Sequence, residues 1–360
     1  MNKLIILFIC VLIASIQSNA TAQYKDFVVS GNFIWVLAKD GTLKLFDKTD
    51  GSPAKKEVAN SSPIVAITKD KTGRVVIADS DKAIKEYDEK KNTWKRIATY
   101  KAAVFGLAFT NTNKCFAITE KGIEDVQSHT FYYLEKSVNN QVKHPDKWRL
   151  PSCHYMDRQN NLWVGFGYGE WGGDIFIFDT KNKAFVIPTF YADSTNQFAY
   201  LQGIKSFFED SASVYFTSST QHILTGGSIS KFNKFDARRL LNSQSHWGEP
   251  EINPISGKKG QQMVAGEYIG PATYNSFTNS IYFYSQNGFF RGNKSKDLSD
   301  IKNWELVIKP ELDWQSGQPD AVGSPMNVSK IEILDKDTFI YLSQNNGIGY
   351  VRGNALIALL

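Results

Sequence analysis

The chain has 360 residues, with 41 Lys and Arg against 36 Asp and Glu, 42% hydrophobic and 13% aromatic residues, and 3 cysteines. It is too apolar and aromatic to be disordered and too poor in cysteine to be a disulfide scaffold. Its formal charge of +5 is spread too thinly to point to nucleic acid, and its length allows either several domains or one large all-β unit.

Met1-Asn2-Lys3 is a short positive start, residues 4–14 are unbroken apolar, and Ala20-Thr21-Ala22 stands before Gln23. These are the three parts of a secretory signal peptide, so residues 1–22 are expected to be removed. The apolar run is shorter than the roughly 20 residues that span a bilayer, and no later stretch approaches that length. The mature chain, 23–360, is therefore expected to be secreted or periplasmic, with no integral membrane segment. It keeps Cys115 and Cys153. Sequence leaves open whether they pair.

After the leader one unit recurs: a short aromatic and β-branched strand, a turn with Gly, Asn or Asp, and a second strand. The first strands are Ile34-Trp35-Val36-Leu37, Val75-Val76-Ile77-Ala78, Cys115-Phe116-Ala117-Ile118, Leu162-Trp163-Val164-Gly165, Val214-Tyr215-Phe216-Thr217, Ile281-Tyr282-Phe283-Tyr284 and Phe339-Ile340-Tyr341-Leu342. Their starts, at 34, 75, 115, 162, 214, 281 and 339, lie 41, 40, 47, 52, 67 and 58 residues apart. Each is preceded by another strand-like stretch, such as Ile64-Val65-Ala66-Ile67. Several are followed by one more, such as Trp94-Lys95-Arg96-Ile97. Four strands per 40–50 residues is the period of a propeller blade. One such sheet cannot bury both faces, but a closed ring of them can. Helical periodicity is scarce. The reading is all-β: a single β-propeller over 23–360, counted as seven four-stranded blades, with six or eight left open by the irregular later steps. A long insertion is expected around 236–265, where unstructured stretches of this length are usually functional.

Five of the seven inner turns are short and two are long, at 165–173 and 218–227. The first alternates glycine with Phe166, Tyr168 and Trp171 and carries Glu170; the second carries His222. Glycine permits close backbone approach and flat aromatic faces suit sugars, so these loops read as one rim of a binding mouth. The alternative is that the aromatics fold back onto the blade. In the insertion, His246-Trp247-Gly248-Glu249 adds Trp247 to the candidate ligand-binding set. A cap over a blade edge is the other reading there.

The clearest blade runs Asp157-Arg158-Gln159-Asn160-Asn161-Leu162-Trp163-Val164-Gly165 and ends Gly172-Gly173-Asp174-Ile175-Phe176-Ile177-Phe178-Asp179. This resembles the repeat of the two-component-regulator propellers, loosely in the first four blades and only in strand rhythm in the last three. The resemblance implies an extracytoplasmic, sensor-like propeller. In that family the propeller is joined to a membrane helix and a kinase, whereas this chain reaches Leu360 directly after its last hairpin. Sensing is thus expected, but not signalling by this chain.

No hydrolase elbow, phosphate loop or calcium-loop pattern is present, and none of the five histidines stands at metal-ligand spacing with another ligand. No metal or cofactor is expected. The function read from the sequence is non-catalytic binding of a small molecule, glycan, peptide or protein. The rival is a periplasmic propeller enzyme (lyase, lactonase or glycan hydrolase) using His154, Glu170, His222 and Glu249. His154 sits on an innermost strand, where it either lines the channel or is a structural, hydrogen-bonded histidine.

Overall fold

The computed structural model describes residues 24–135, 143–188, 201–220, 225–233, 236–243, 246–252, 255–261, 263–312 and 328–359. The leader expected at 1–22 and His222 lie outside them. Seven antiparallel sheets follow one another along the chain. Their innermost strands are Tyr24–Ser30, Ile64–Lys69, Val104–Phe109, Cys153–Met156, Gly203–Glu209, Ala272–Asn275 and Val328–Ile333. The second strands are Phe33–Ala38, Val75–Asp79, Cys115–Thr119, Asn161–Gly167, Val214–Thr220, Ser280–Ser285 and Thr338–Ser343. These fall on the seven strands read from the sequence.

Second strands are buried on both faces: Ile34, Trp35, Val36 and Leu37 are all 0–1% exposed. That is why they read as continuous apolar runs rather than as alternating ones. Outermost strands such as Thr93–Thr99 face water and read as mixed. Blades 2 to 7 each have four strands. Blade 1 shows three, with an isolated bridge between Phe46 and Pro53 where a fourth would pair.

Seven apolar clusters hold the ring, one at each junction between blades. Trp35, Val28 and Leu45 of blade 1 meet Ile67, Ile77 and Tyr87 of blade 2, with Trp35 and Tyr87 in edge contact at 4.8 Å. Phe27, Ile34 and Val36 of blade 1 meet Ile340, Leu342 and Tyr350 of blade 7, which closes the circle. The first and last blades share no strand. Their seam is completed by the Tyr350 hydroxyl, 2.9 Å from the carbonyls of Lys48 and Thr49.

The ring has two unlike faces. On the turn face, innermost and second strands are joined by short turns led by a carboxylate or amide. Asp157 Oδ1 accepts the N–H groups of Gln159 and Asn161, both at 2.8 Å. Its Oδ2 accepts the Asn161 amide at 2.9 Å and Trp163 Nε1 at 2.8 Å. Asp70, Asp210 and Asn275 accept N–H groups two to four residues ahead in the same way. Asn113 and Asn160 take up positive φ here, a conformation asparagine tolerates. They also reach the preceding blade: Asn113 Nδ2 donates to Asp70 at 2.9 Å, and Asn160 Oδ1 accepts the N–H of Asn111 at 2.6 Å. The repeat of aspartate and asparagine is thus the hydrogen-bonding scheme of this face.

The opposite, crossing face carries the turns between second and third strands and the passages from blade to blade. Its passages at 133–152, 187–202, 244–271 and 309–327 are all long. The expected insertion at 236–265 begins later: Asp236–Ser243 is the outermost strand of blade 5, paired with Gly226–Asn233. Its polar sequence is that of a strand with an open edge. Two short pairs follow it, His246–Trp247 with Met263–Val264 and Glu251–Ile252 with Lys259–Gly260.

Candidate functional site at the crossing face

The glycine-aromatic loop of blade 4 splits into an anchored part and a presented part. Phe166 is buried among Trp148, Phe176 and Phe178. Tyr168 is also buried, and its hydroxyl lies 3.0 Å from both Asp174 Oδ2 and His144 Nε2. The Arg149 N–H points at His144 Nδ1, at 3.3 Å. Nδ1 therefore accepts, Nε2–H donates to the tyrosine oxygen, and the tyrosine hydroxyl donates to Asp174. Burial, with Arg149 adding to it, lowers the His144 pKa, so the ring stays neutral in this chain of hydrogen bonds.

Glycines in the loop serve the junction with blade 5. A methyl added at Gly165 would meet Ile204, and one at Gly173 would meet the backbone of Phe166, Gln202 and Gly203. The close backbone approach read from the sequence is thus made to the next blade. Beyond this anchored base, one turn of 3-10 helix, Gly169–Trp171, crosses the rim. Gly169 has φ +66 with open space around it, and Trp171 is 69% exposed.

Other exposed apolar side chains stand on the passages of the same face: Leu150, Ile187, Ile252 and Ile255. Of the remaining candidates, Glu170 belongs to the 3-10 turn, Trp247 to the short pairing with Met263–Val264, and Glu249 is exposed in the inserted passage. His154 lies apart from them in the wall of the central channel. It packs against the backbone of Gly106 in blade 3, where a methyl would collide with the imidazole. Among the described residues no contact joins His154 to Glu249, and no group of three or more His, Cys, Asp or Glu could hold a metal ion. Cys115 and Cys153 are both free thiols, and burial raises the pKa of each well above the ordinary range.

The channel also contains groups the sequence reading passed over. In five blades the innermost strand has a β-bulge at its second or third residue: Lys25, Val65, Phe105, Lys205 and Ser329. These positions mark the crossing-face end of the channel. Deeper in the wall, Lys330 donates to Asp26 Oδ1 at 2.8 Å and to the Phe27 carbonyl at 2.6 Å. Lys69 donates to Glu332 at 2.9 Å. Asp26 and Lys330 are 304 residues apart, and no local pattern joins them.

Fold and site together define a seven-bladed β-propeller with one elaborated face. No protein family model matches the chain, and no curated protein does. Among solved structures the computationally designed Ika8 protein is similar, with a TM-score of 0.51 at 11% identity over 95% of this chain and 87% of that one. The extracellular domain of a protein assigned to a hybrid two component system of B. thetaiotaomicron aligns with a TM-score of 0.49 at 14% identity, over 93% of this chain and 41% of that one. At 11% identity the likeness to the designed protein is one of fold. Among the described residues no helix is long and apolar enough to cross a membrane.

Proposed function

We propose that the protein is an exported binding propeller, without catalytic activity of its own, that engages a glycan, peptide or protein surface through its crossing face around Trp171. The observation that carries this reading is the exposure of Trp171 above a base fixed by Tyr168, His144 and Asp174. Water-exposed tryptophan on a rigid support costs little entropy to engage, and Trp is enriched among the side chains that dominate binding energy. Leu150, Ile187 and Ile252 extend the apolar surface on the same side. Export rests on the leader read at 1–22, and the resemblance of the Asp157–Asp179 repeat to extracytoplasmic propellers agrees with it.

A thermal-shift screen with oligosaccharides and short peptides tests the proposal, because a ligand that binds only the folded state raises the midpoint. Trp171→Ala is expected to abolish any such shift while leaving the ligand-free midpoint unchanged. Shifts that survive the substitution overturn the assignment of this face.

A further inference from the structure

The charged side chains on the seven innermost strands are Lys25, Asp26, Lys69, Lys205, Glu209, Lys330 and Glu332. Most are matched. Asp26 takes Lys330, Glu332 takes Lys69, and Glu209 takes Arg158 at 3.2 Å. Lys25 and Lys205 form no ion pair among the described residues. Lys25 Nζ donates to the Val65 carbonyl at 2.5 Å, and Lys205 Nζ stands over the Tyr268 ring, 5.5 Å from its centre.

Both lysines sit at a bulge near the crossing-face end of an innermost strand. Lys25 is second in Tyr24–Ser30, between Tyr24 and Asp26, and Lys205 is third in Gly203–Glu209, between Ile204 and Ser206. A bulge breaks the in-out alternation of a strand and re-aims the side chain, and bulges gather at rims for that reason. His154, near the crossing-face end of the blade 4 strand, lies in the field of Asp26 and Lys330, while Lys205 acts on the adjacent Cys153. The innermost strands of blades 1, 4, 5 and 7 all contribute to the wall of the one central channel. Lys25 is exposed, and the carboxylate beside it, Asp26, is committed to Lys330, so the Lys25 ammonium is open to an anion arriving from solvent.

The geometry points to a binding site for a small oxyanion, the carboxylate or phosphate group of a free metabolite, at the crossing-face mouth of the channel, with Lys25 and Lys205 as its cationic ligands and His154 in its wall. The site is independent of the Trp171 surface. The matched pairs below it, Asp26 with Lys330 and Glu332 with Lys69, leave the excess positive charge at this mouth.

The test is a thermal-midpoint titration of the full chain with inorganic phosphate and, separately, with citrate, each against sodium chloride at equal ionic strength. At least one of the two anions is expected to raise the midpoint saturably where chloride does not. A response to phosphate alone names a phosphate group, and a response to citrate alone a carboxylate. Lys25→Gln and Lys205→Gln are each expected to weaken the response about tenfold, the worth of one charge-assisted hydrogen bond. Lys205→Arg keeps the charge and is expected to retain binding, as is Lys90→Gln on the turn face. Trp171→Ala is expected to leave oxyanion binding intact, which separates this site from the face proposed above. The inference is overturned if neither anion exceeds chloride, if the glutamine variants bind like the wild type, or if Lys90→Gln weakens binding as much as they do.

Discussion

On the turn face, the connection from innermost to second strand is short in every blade, and in most blades its leading Asp or Asn is tied to the N–H groups just ahead. On the crossing face the passages differ in length from blade to blade, and among the described residues Trp171 of blade 4 stands exposed at the rim. One face repeats because each blade must solve the same problem, satisfying the polar groups of a tight reversal between two buried strands. The other is free to vary because its chain runs over an edge that the ring has already closed. Side chains on the first face therefore answer to stability, while those on the second are freer to differ from blade to blade.

The sharpest way to break the comparison is to remove the carboxylate of blade 4. Asp157→Ala strands the Trp163 indole N–H, the Asn161 amide and two backbone N–H groups, all in or beside a buried turn. The expected loss is about 3 kcal/mol in urea unfolding, since each buried donor left unpaired costs on the order of 1 kcal/mol or more. A loss below about 1 kcal/mol would show that water replaces the carboxylate and that the turn face is not what holds the blades.

Asp157 also shows what could be read in advance. Its spacing to Asn161, Leu162 and Trp163 is local, so the motif stood out in the sequence and the structure supplies its cause. The seven second strands were legible because burial on both faces gives each a short local run of apolar and aromatic residues, with polar residues mainly at the strand ends. Asp236–Ser243 was not, since an outermost strand buries little and its Arg238-Arg239 reads like a loop. In the blade 4 loop, Phe166, Tyr168 and Trp171 are alternate aromatics to a reader of sequence. Only the positions of His144 and Asp174 decide that the first two turn inward. The pairs Asp26–Lys330 and Glu332–Lys69 join opposite ends of the chain, and nothing local announces them. Nor does anything local announce the bulges that place Lys25 and Lys205.

Acid should act on the two faces at different pH. For Asp70, burial pushes the carboxyl up, but hydrogen bonds from Asn113, Thr72 and Arg74 outweigh it and hold the pKa at about 2. Asp210 is likewise held at about 2 against burial, by Lys294, Ala212, Tyr215 and Ser213. A lowered carboxylate pKa gives stability that is fully present above the ordinary value of 3.8 and is lost as the pH falls toward about 2. His144 on the crossing face is lowered from 6.5, so the unfolded chain takes up its proton first and stability already declines as the pH falls below about 6.5. The expected profile of stability against pH has an upper step from the histidine and a lower one from the carboxylates. Asp70→Asn should reduce the lower step, on the order of 2 kcal/mol for this group, and spare the upper. Equal changes in both steps would refute the separation.

Gly106 is an intermediate case, on an innermost strand beside the channel. Its missing side chain leaves room for the His154 ring from the neighbouring blade. Gly106→Ala must displace that ring, and overpacking of this kind costs about 1.5 kcal/mol. The double variant Gly106→Ala with His154→Ala should recover most of the loss, whereas a strand weakened by alanine itself would stay weakened.

The smallest expected effect is the most telling about the crossing face. Trp171 is exposed, and the anchoring of its loop passes through Phe166, Tyr168, His144 and Asp174 beneath it. Trp171→Ala should therefore leave urea stability within about 0.5 kcal/mol of the wild type, as for a surface position that supports nothing else. By contrast, Tyr168→Phe keeps the ring and removes only the hydroxyl, stranding partners in Asp174 and His144, so it should cost more than the loss of the whole indole. If the order is reversed, Trp171 is part of the blade's packing, and the exposed side chain at this rim is structural rather than presented to a ligand.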